Sequence, residues 1–434
     1  MRIRNHAMAF FLAALLTTAA FAAAPISTPL LLTADQKTVE TLAQSLLKEP
    51  AIHAARAAAV KRYQAAPPWQ LEDGKKNLQG IIDETLYGVL LSVADDPAKP
   101  KIVWTEVLPD SSTKLKLHGS RYAGDSPDRA YRGVTVDPAY RYEISGKRST
   151  PGPLYISLES LPRPAFWGLP PLAMISSQDI DFAADGSFKV SVDATPADGR
   201  RNHLQMPPGT GMLLLRDTIP DWKNQLPNQL AMTRVDKAAA KPRSRDAMVK
   251  QAAVLMDEAI TASLKYFDGI WKRKTNELDV FVRPLGWGLL CVNRFSLQDD
   301  EAMVITLDPQ SAQYLSIQVM DPWLRSAAYH HRTTSMNNFQ ARANADGSVT
   351  YVMSVKDPGV YNWIDTGGLR DGIAVVRWEL FAKAAVADLA VREVRKVALA
   401  DLASTLPAEV ARVSAAERTQ QLVERQADYE NRVR

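Results

Sequence analysis

The chain has 434 residues, 46% hydrophobic and 23% charged, with one cysteine and six histidines. That balance excludes wholesale disorder and a polytopic membrane protein, and a single thiol excludes an intrachain disulfide framework or a multi-cysteine metal site. The formal charge of +4 comes without a long basic run, so no nucleic-acid footprint is expected.

Arg2 and Arg4 open the chain as a positive region, Ala9 to Leu16 is a short apolar run, and Ala20-Phe21-Ala22 is a small-residue cleavage site. This is the pattern of a secretory signal peptide over residues 1–22, and it predicts a periplasmic or secreted protein. Its removal takes two arginines and no acid, so the basic balance carries little weight. No later stretch reaches the roughly 18 apolar residues of a membrane span, so no span is expected after cleavage.

Residues 33–235 read as helices followed by a first β unit. Thr33-x-x-Gln36 has the form of a capping box, and Pro50 closes that helix. Residues 51–64 are alanine-rich and helical. Leu78, Ile81, Ile82, Leu86, Val89 and Leu90 recur at helical spacing. Further on, Phe188, Val190 and Val192 alternate with Lys189, Ser191 and Asp193, a strand with one buried and one wet face. The preceding Ala184-Asp185-Gly186-Ser187 reads as a hairpin turn of type I′, in which both central residues take positive φ. Residues 236–245 (DKAAAKPRSR) read as a polar linker. Residues 246–385 repeat the plan, with Met248, Ala252, Leu255, Ala259, Leu264, Phe267 and Trp271 at helical spacing before a second set of strands. Residues 386–434 read as a helical tail with a second capping box, Ser414-x-x-Glu417.

The two β units are internal copies. Ala184-Asp185-Gly186-Ser187 recurs as Ala345-Asp346-Gly347-Ser348, Asn202 as Asn362, Arg216 as Arg377, and Tyr155-Ile-Ser-Leu158 as Tyr314-Leu-Ser-Ile317, in one order and at near-constant spacing. The expected fold is α+β: duplicated antiparallel β-sandwich or jelly-roll-like units, each preceded by helices, with a helical C-terminal tail.

Polar and aromatic residues are densest in the second copy. Trp323, Arg332, Asn337, Asn338, Asn362, Trp363 and Asp365 are the candidate ligand-binding residues. Indoles stack on the C–H faces of a sugar while amides and carboxylates bond its hydroxyls. The same residue types also build turns and fill cores. Asn202/Asn362 and Arg216/Arg377, common to both copies, read as scaffold; Trp363 and Asp365, present in one, read as site. His330 and His331 are adjacent and would face opposite sides of a strand, so no metal site is expected. Cys291 sits in an apolar run and is expected to be buried. There is no nucleophile elbow and no phosphate-cradling loop, and no cofactor is implied.

The order of a Tyr-containing strand (Tyr314 to Ile317), an Asp-Gly turn (Asp346-Gly347), Asn362-Trp363-Ile364 and a strand ending in Arg-Trp (Ile373 to Trp378) resembles the family known as domain of unknown function 1214. The resemblance covers about residues 285–381, with a weaker second copy at about 125–222, where Asn202-His203 replaces Asn-Trp. It implies an exported, β-rich bacterial envelope protein and no particular activity. Three functions follow as expectations, and whether the protein is an enzyme is left open. The first is a non-enzymatic periplasmic structural or partner-binding module. The second is a glycan-directed hydrolase or binder with its site in the second β unit. The third is an enzyme on a small hydrophobic substrate, with a cavity around Phe339, Trp363 and Trp378. The partners in view are an envelope glycan or an envelope protein.

Overall fold

The computed structural model describes residues 33–105, 124–163, 171–237, 239–240 and 243–433; the expected signal peptide lies outside them. The α-helices are α1 (Ala34–Leu46), α2 (Pro50–Tyr63), α3 (Glu72–Ala94), α4 (Arg245–Trp271), α5 (Leu402–Thr405) and α6 (Ala415–Val433). The first unit holds β1 (Val103–Trp104), β2 (Arg129–Thr135), β3 (Tyr142–Lys147), β4 (Tyr155–Pro162), β5 (Ala173–Ser176), β6 (Ser187–Asp193), β7 (His203–Gln205), β8 (Thr210–Thr218) and β9 (Gln229–Arg234). The second holds β10 (Val280–Val282), β11 (Leu289–Ser296), β12 (Glu301–Leu307), β13 (Ala312–Met320), β14 (Ser335–Asn337), β15 (Val349–Ser354), β16 (Trp363–Asp365), β17 (Asp371–Phe381) and β18 (Val391–Ala398).

The first unit pairs a five-stranded sheet, β1-β2-β8-β4-β5, with a four-stranded sheet, β7-β6-β3-β9. The second has β10-β11-β17-β13-β14 and β16-β15-β12-β18, the same order strand for strand. The duplication predicted from the sequence is therefore complete in topology. Pairing is antiparallel, as expected, except for one parallel pair in each unit, β6 with β7 and β15 with β16. Each sandwich closes on apolar residues of both its sheets. Ile156, Leu158, Leu213 and Leu215 meet Ile144, Val190 and Val192 in the first. Leu315, Ile317, Ala374, Val376 and Trp378 meet Met303, Ile305, Tyr351 and Met353 in the second.

Four readings from the sequence need correction. The Ala-Asp-Gly-Ser turns do not form hairpins within one sheet: each leads into β6 or β15 from the segment that leaves the other sheet. Only Gly186 and Gly347 take positive φ, while Asp185 and Asp346 accept the N–H and hydroxyl of the following serine. The segment 386–434 is not wholly helical, because β18 completes the second four-stranded sheet along β12. Its charged residues suit an edge strand, which hides its period. The Thr33 box is half made: Thr33 caps the Gln36 N–H, but the Gln36 amide turns to bond the Trp104 N–H at 2.8 Å and pins α1 to β1. His330 and His331 lie in a turn, and their rings touch, Nδ1 of His331 lying 2.7 Å from Nε2 of His330. No group of three ligating side chains occurs among the described residues.

The helices ahead of the two units form one layer. Apolar faces of α1–α4 pack together and onto Val292, Met320, Ile373 and Val375, the outer face of the second five-stranded sheet. Gly80 lets Arg325 cross α3 to reach Glu84 at 2.7 Å; a Cβ there would lie 2.2 Å from the guanidinium. α6 docks differently. Ser414 and Glu417 complete their capping box. Arg418, Arg425 and Arg432, seven residues apart, are then buried along one face. Their guanidiniums donate to the carbonyls of Val360, Tyr329 and Pro127. Pro127 lies beside the first unit's β2 and the other two lie in the second unit, so α6 clasps both. No helix among the described residues is long and apolar enough to cross a membrane.

Candidate functional site

Where α6 lies across the two units it closes one side of a cleft of about 350 Å³. The first unit contributes the turn after β8, Pro220 to Asn224. The second contributes Thr333, Met336, Phe339, Gln340 and Tyr361, and α6 contributes Gln421, Glu424, Arg425 and Asp428. An aromatic cluster of Trp222, Tyr329 and Tyr429 fixes the seam behind it. The Trp222 Nε1–H donates to Asp128 at 2.8 Å, which holds the 220–224 turn against the segment leading into β2 of the same unit.

The lining is polar with apolar patches. Phe339 is 49% exposed, an apolar face this open being unusual for a core residue. The Tyr361 ring is braced from behind by the Arg342 guanidinium at 3.8 Å. Arg425 is held by the Tyr329 carbonyl and Ser335 Oγ and stacks over Trp222 at 4.4 Å; burial pulls its pKa down to about 10. Burial pushes the Asp428 carboxyl above the usual carboxylate range; Lys223 opposes the shift, and Glu424 and Asp221 add to it. Thr333 is 1% exposed, and its hydroxyl has no hydrogen-bond partner among the described residues. A buried hydroxyl left unbonded is unfavourable by roughly 1–3 kcal/mol, so a ligand oxygen reaching it would gain a partner.

None of the candidate ligand-binding residues singled out from the sequence lines this cleft. Trp323 is fully buried between Tyr63 and Phe267, and its Nε1–H donates to the Gly74 carbonyl at 2.7 Å, so it is a plug of the helical layer. Asn337 donates to Asp128 at 2.7 Å and to the Pro220 carbonyl at 3.0 Å, joining the units. Asn338 pairs with the backbone of Leu315 and Gln313. Asp365 and Arg332 form a two-point ion pair at 2.8 and 2.9 Å. The Trp363 Nε1–H donates to the Ser354 carbonyl. Asn362 donates to the Arg342 and Thr350 carbonyls and accepts the Arg342 N–H. Asn202 makes the same three bonds to Asp181 and Lys189, so this shared asparagine is scaffold in both units. The hydrophobic-cavity residues lie apart: Phe339 at the cleft, Trp363 with Val360 and Leu402, and Trp378 in the sandwich core. Cys291 is buried as expected, and burial pushes its thiol pKa up.

Thus Thr333, Met336, Phe339, Gln340 and Tyr361 lie within two residues of those first chosen. The 220–224 turn and α6 carried no signal of their own, since only the folded seam brings them together.

No family model matches this chain, and no curated protein matches it. Among solved structures, an uncharacterized protein from Burkholderia cenocepacia is similar at 24% identity, covering 82% of this chain and 99% of its own, with a TM-score of 0.67. That likeness extends to the fold. A protein from Vibrio parahaemolyticus aligns at 10% identity over 83% of this chain and 100% of its own, with a TM-score of 0.38.

Proposed function

We propose that this chain is an exported binding module that holds a saccharide of the bacterial envelope in the seam cleft. One observation carries the reading: an open cleft combines an exposed Phe339 face with amides, carboxylates and an unbonded buried hydroxyl. Its volume of about 350 Å³ lies at the lower end of small-molecule sites, room for one or two sugar rings. Phe339 and Tyr361 supply faces for C–H stacking. Asn224, Gln340 and Gln421 supply amides, and Asp221, Glu424 and Asp428 supply acceptors for hydroxyls. The resemblance of residues 285–381 to an envelope family and the signal pattern of residues 1–22 support an envelope ligand.

The test is titration of the mature protein with envelope saccharides, followed by calorimetry and by the protein's NMR shifts. A saturable complex is expected, weakened about tenfold by Phe339→Ala and by Thr333→Val. Absence of saccharide binding at millimolar concentration, or binding unchanged in both variants, sinks the reading.

A second reading rests on Asp428. A carboxyl whose hold on its proton is strengthened by burial and by two neighbouring carboxylates suits the role of general acid in glycoside hydrolysis. Product release that Asp428→Asn abolishes, with binding retained, would turn the module into a hydrolase.

A further inference from the structure

A second polar cluster lies away from the cleft, where the outer faces of the two five-stranded sheets meet. Arg129, Arg216 and Arg283 converge on the indole of Trp287, their guanidinium carbons 5.5, 5.1 and 4.7 Å from the ring centroid. Tyr155 meets the same indole edge-on at 6.3 Å. Glu379 is shared by Arg129 and by Arg283, the latter at 2.8 Å. Glu159 pairs with Arg216 at 2.8 Å and accepts the Ser157 hydroxyl. Arg377 donates to the Gln318 side-chain oxygen and to the Gly124 carbonyl.

The duplication explains why the charges do not balance. Ser157 faces Arg216 in the β4–β8 register, and Ser316 faces Arg377 in the β13–β17 register. Two residues after the serine, the first unit has Glu159 and the second has Gln318. The second arginine therefore meets an amide where the first meets a carboxylate. Four guanidiniums share two carboxylates, and arginine does not shed its proton in proteins. Nearby, Asp128 accepts from the neutral groups of Trp222, Tyr314 and Asn337, and Asp125 from Ser326, so both carboxylates keep their charge and act on the cluster as counter-charges at longer range. Uncompensated buried charge is strongly unfavourable.

Among the described residues, three polar atoms of this face are buried without a hydrogen-bond partner: Nε of Arg129, Nε of Arg216 and Oγ of Ser316. The side chains of Arg216 and Arg283 are 16% and 17% exposed, against 2% for Arg129, so these two form the more open side of the cluster. The Arg283 pKa is pulled down to about 10, first by burial and then by Arg129, Arg216 and Arg377, with Glu379 opposing.

We propose that this cluster is an oxyanion-binding site, in which a carboxylate or phosphate group sits against Arg216 and Arg283 at the edge of Trp287. Two guanidinium forks suit either group, and a monoanion or dianion would offset the excess charge. The site is separate from the seam cleft and stands whether or not that cleft takes a saccharide.

The test is calorimetry of the full mature chain with inorganic phosphate, sulfate and succinate, at constant ionic strength, with chloride as control. Saturable binding of at least one oxyanion is expected, and its preference separates phosphate-type from carboxylate ligands. Arg283→Gln should weaken it at least tenfold. Gln318→Glu, which restores the missing carboxylate without removing an arginine, should weaken it as well. A selenate soak of wild-type crystals reads the same question without a variant, with an anomalous peak expected within hydrogen-bonding distance of Arg216 and Arg283. Equal, non-saturating response to chloride and oxyanions, unchanged affinity in both folded variants, or a selenate peak only elsewhere would overturn the proposal.

Discussion

At one level of the sandwich the two units fill the same place with opposite chemistry. In the first, Arg132 on β2 and Asp217 on β8 form a buried ion pair, and Asp217 also accepts the backbone and amide N–H groups of Asn228. In the second, the corresponding strand positions hold Cys291 on β11 and Trp378 on β17, both buried among apolar residues. The strand order is unchanged. An inward-facing position in this fold must therefore be filled and satisfied, but it need not be apolar. A buried ion pair and an apolar pair of similar bulk are interchangeable in principle, whereas half of either is not.

Breaking one half tests this most severely. Asp217→Ala leaves Arg132 without its carboxylate and the Asn228 N–H groups without their acceptor, and is expected to destabilise the fold by about 4 kcal/mol, measured by urea unfolding. Arg132→Met with Asp217→Leu should recover at least half of that loss; a double variant as unstable as the single one would refute the equivalence. Trp378→Ala empties the matching place in the second unit, with an expected loss of about 3–4 kcal/mol. Asn362→Ala removes the three-bond clip that Asn202 makes in the first unit. Because Asn362 is buried and Asn202 only half-buried, the expected loss is about 2 kcal/mol for Asn362 and about half that for Asn202. Smallest in stability is Phe339→Ala, within about 0.5 kcal/mol of wild type as an exposed substitution, while its effect should appear as a tenfold weaker saccharide complex.

The same comparison shows what a reader of the sequence can see. Helices α3 and α4 were legible because their apolar residues recur at helical spacing over long runs. The duplication was legible where both units need the same local device: the Asp-Gly turns, the Asn202 and Asn362 clips, the Tyr-x-Ser strands. It was illegible where the units satisfy one place differently, as at Arg132 and Cys291. The greater apolarity of β15 was visible in Val349, Tyr351, Val352 and Met353. Its cause was not, because Leu402, Leu406 and Val410, which cover that face together with Trp363, follow a strand that reads as part of a helical tail. The cleft was half legible: the segment 329–363 stood out, but its most polar residues are spent on ion pairs and backbone clips, and their quieter neighbours line the opening.

The clasp made by Arg418, Arg425 and Arg432 also orders events in time. α6 follows every strand it holds, and domains form during synthesis in chain order. Both sandwiches can close before α6 exists, yet the wall of Gln421, Glu424, Arg425 and Asp428 cannot. A nascent or clipped chain would thus carry two sandwiches and a seam cleft lacking its α6 wall, and on the proposed reading competence to bind a saccharide would mark a finished molecule rather than a folded one.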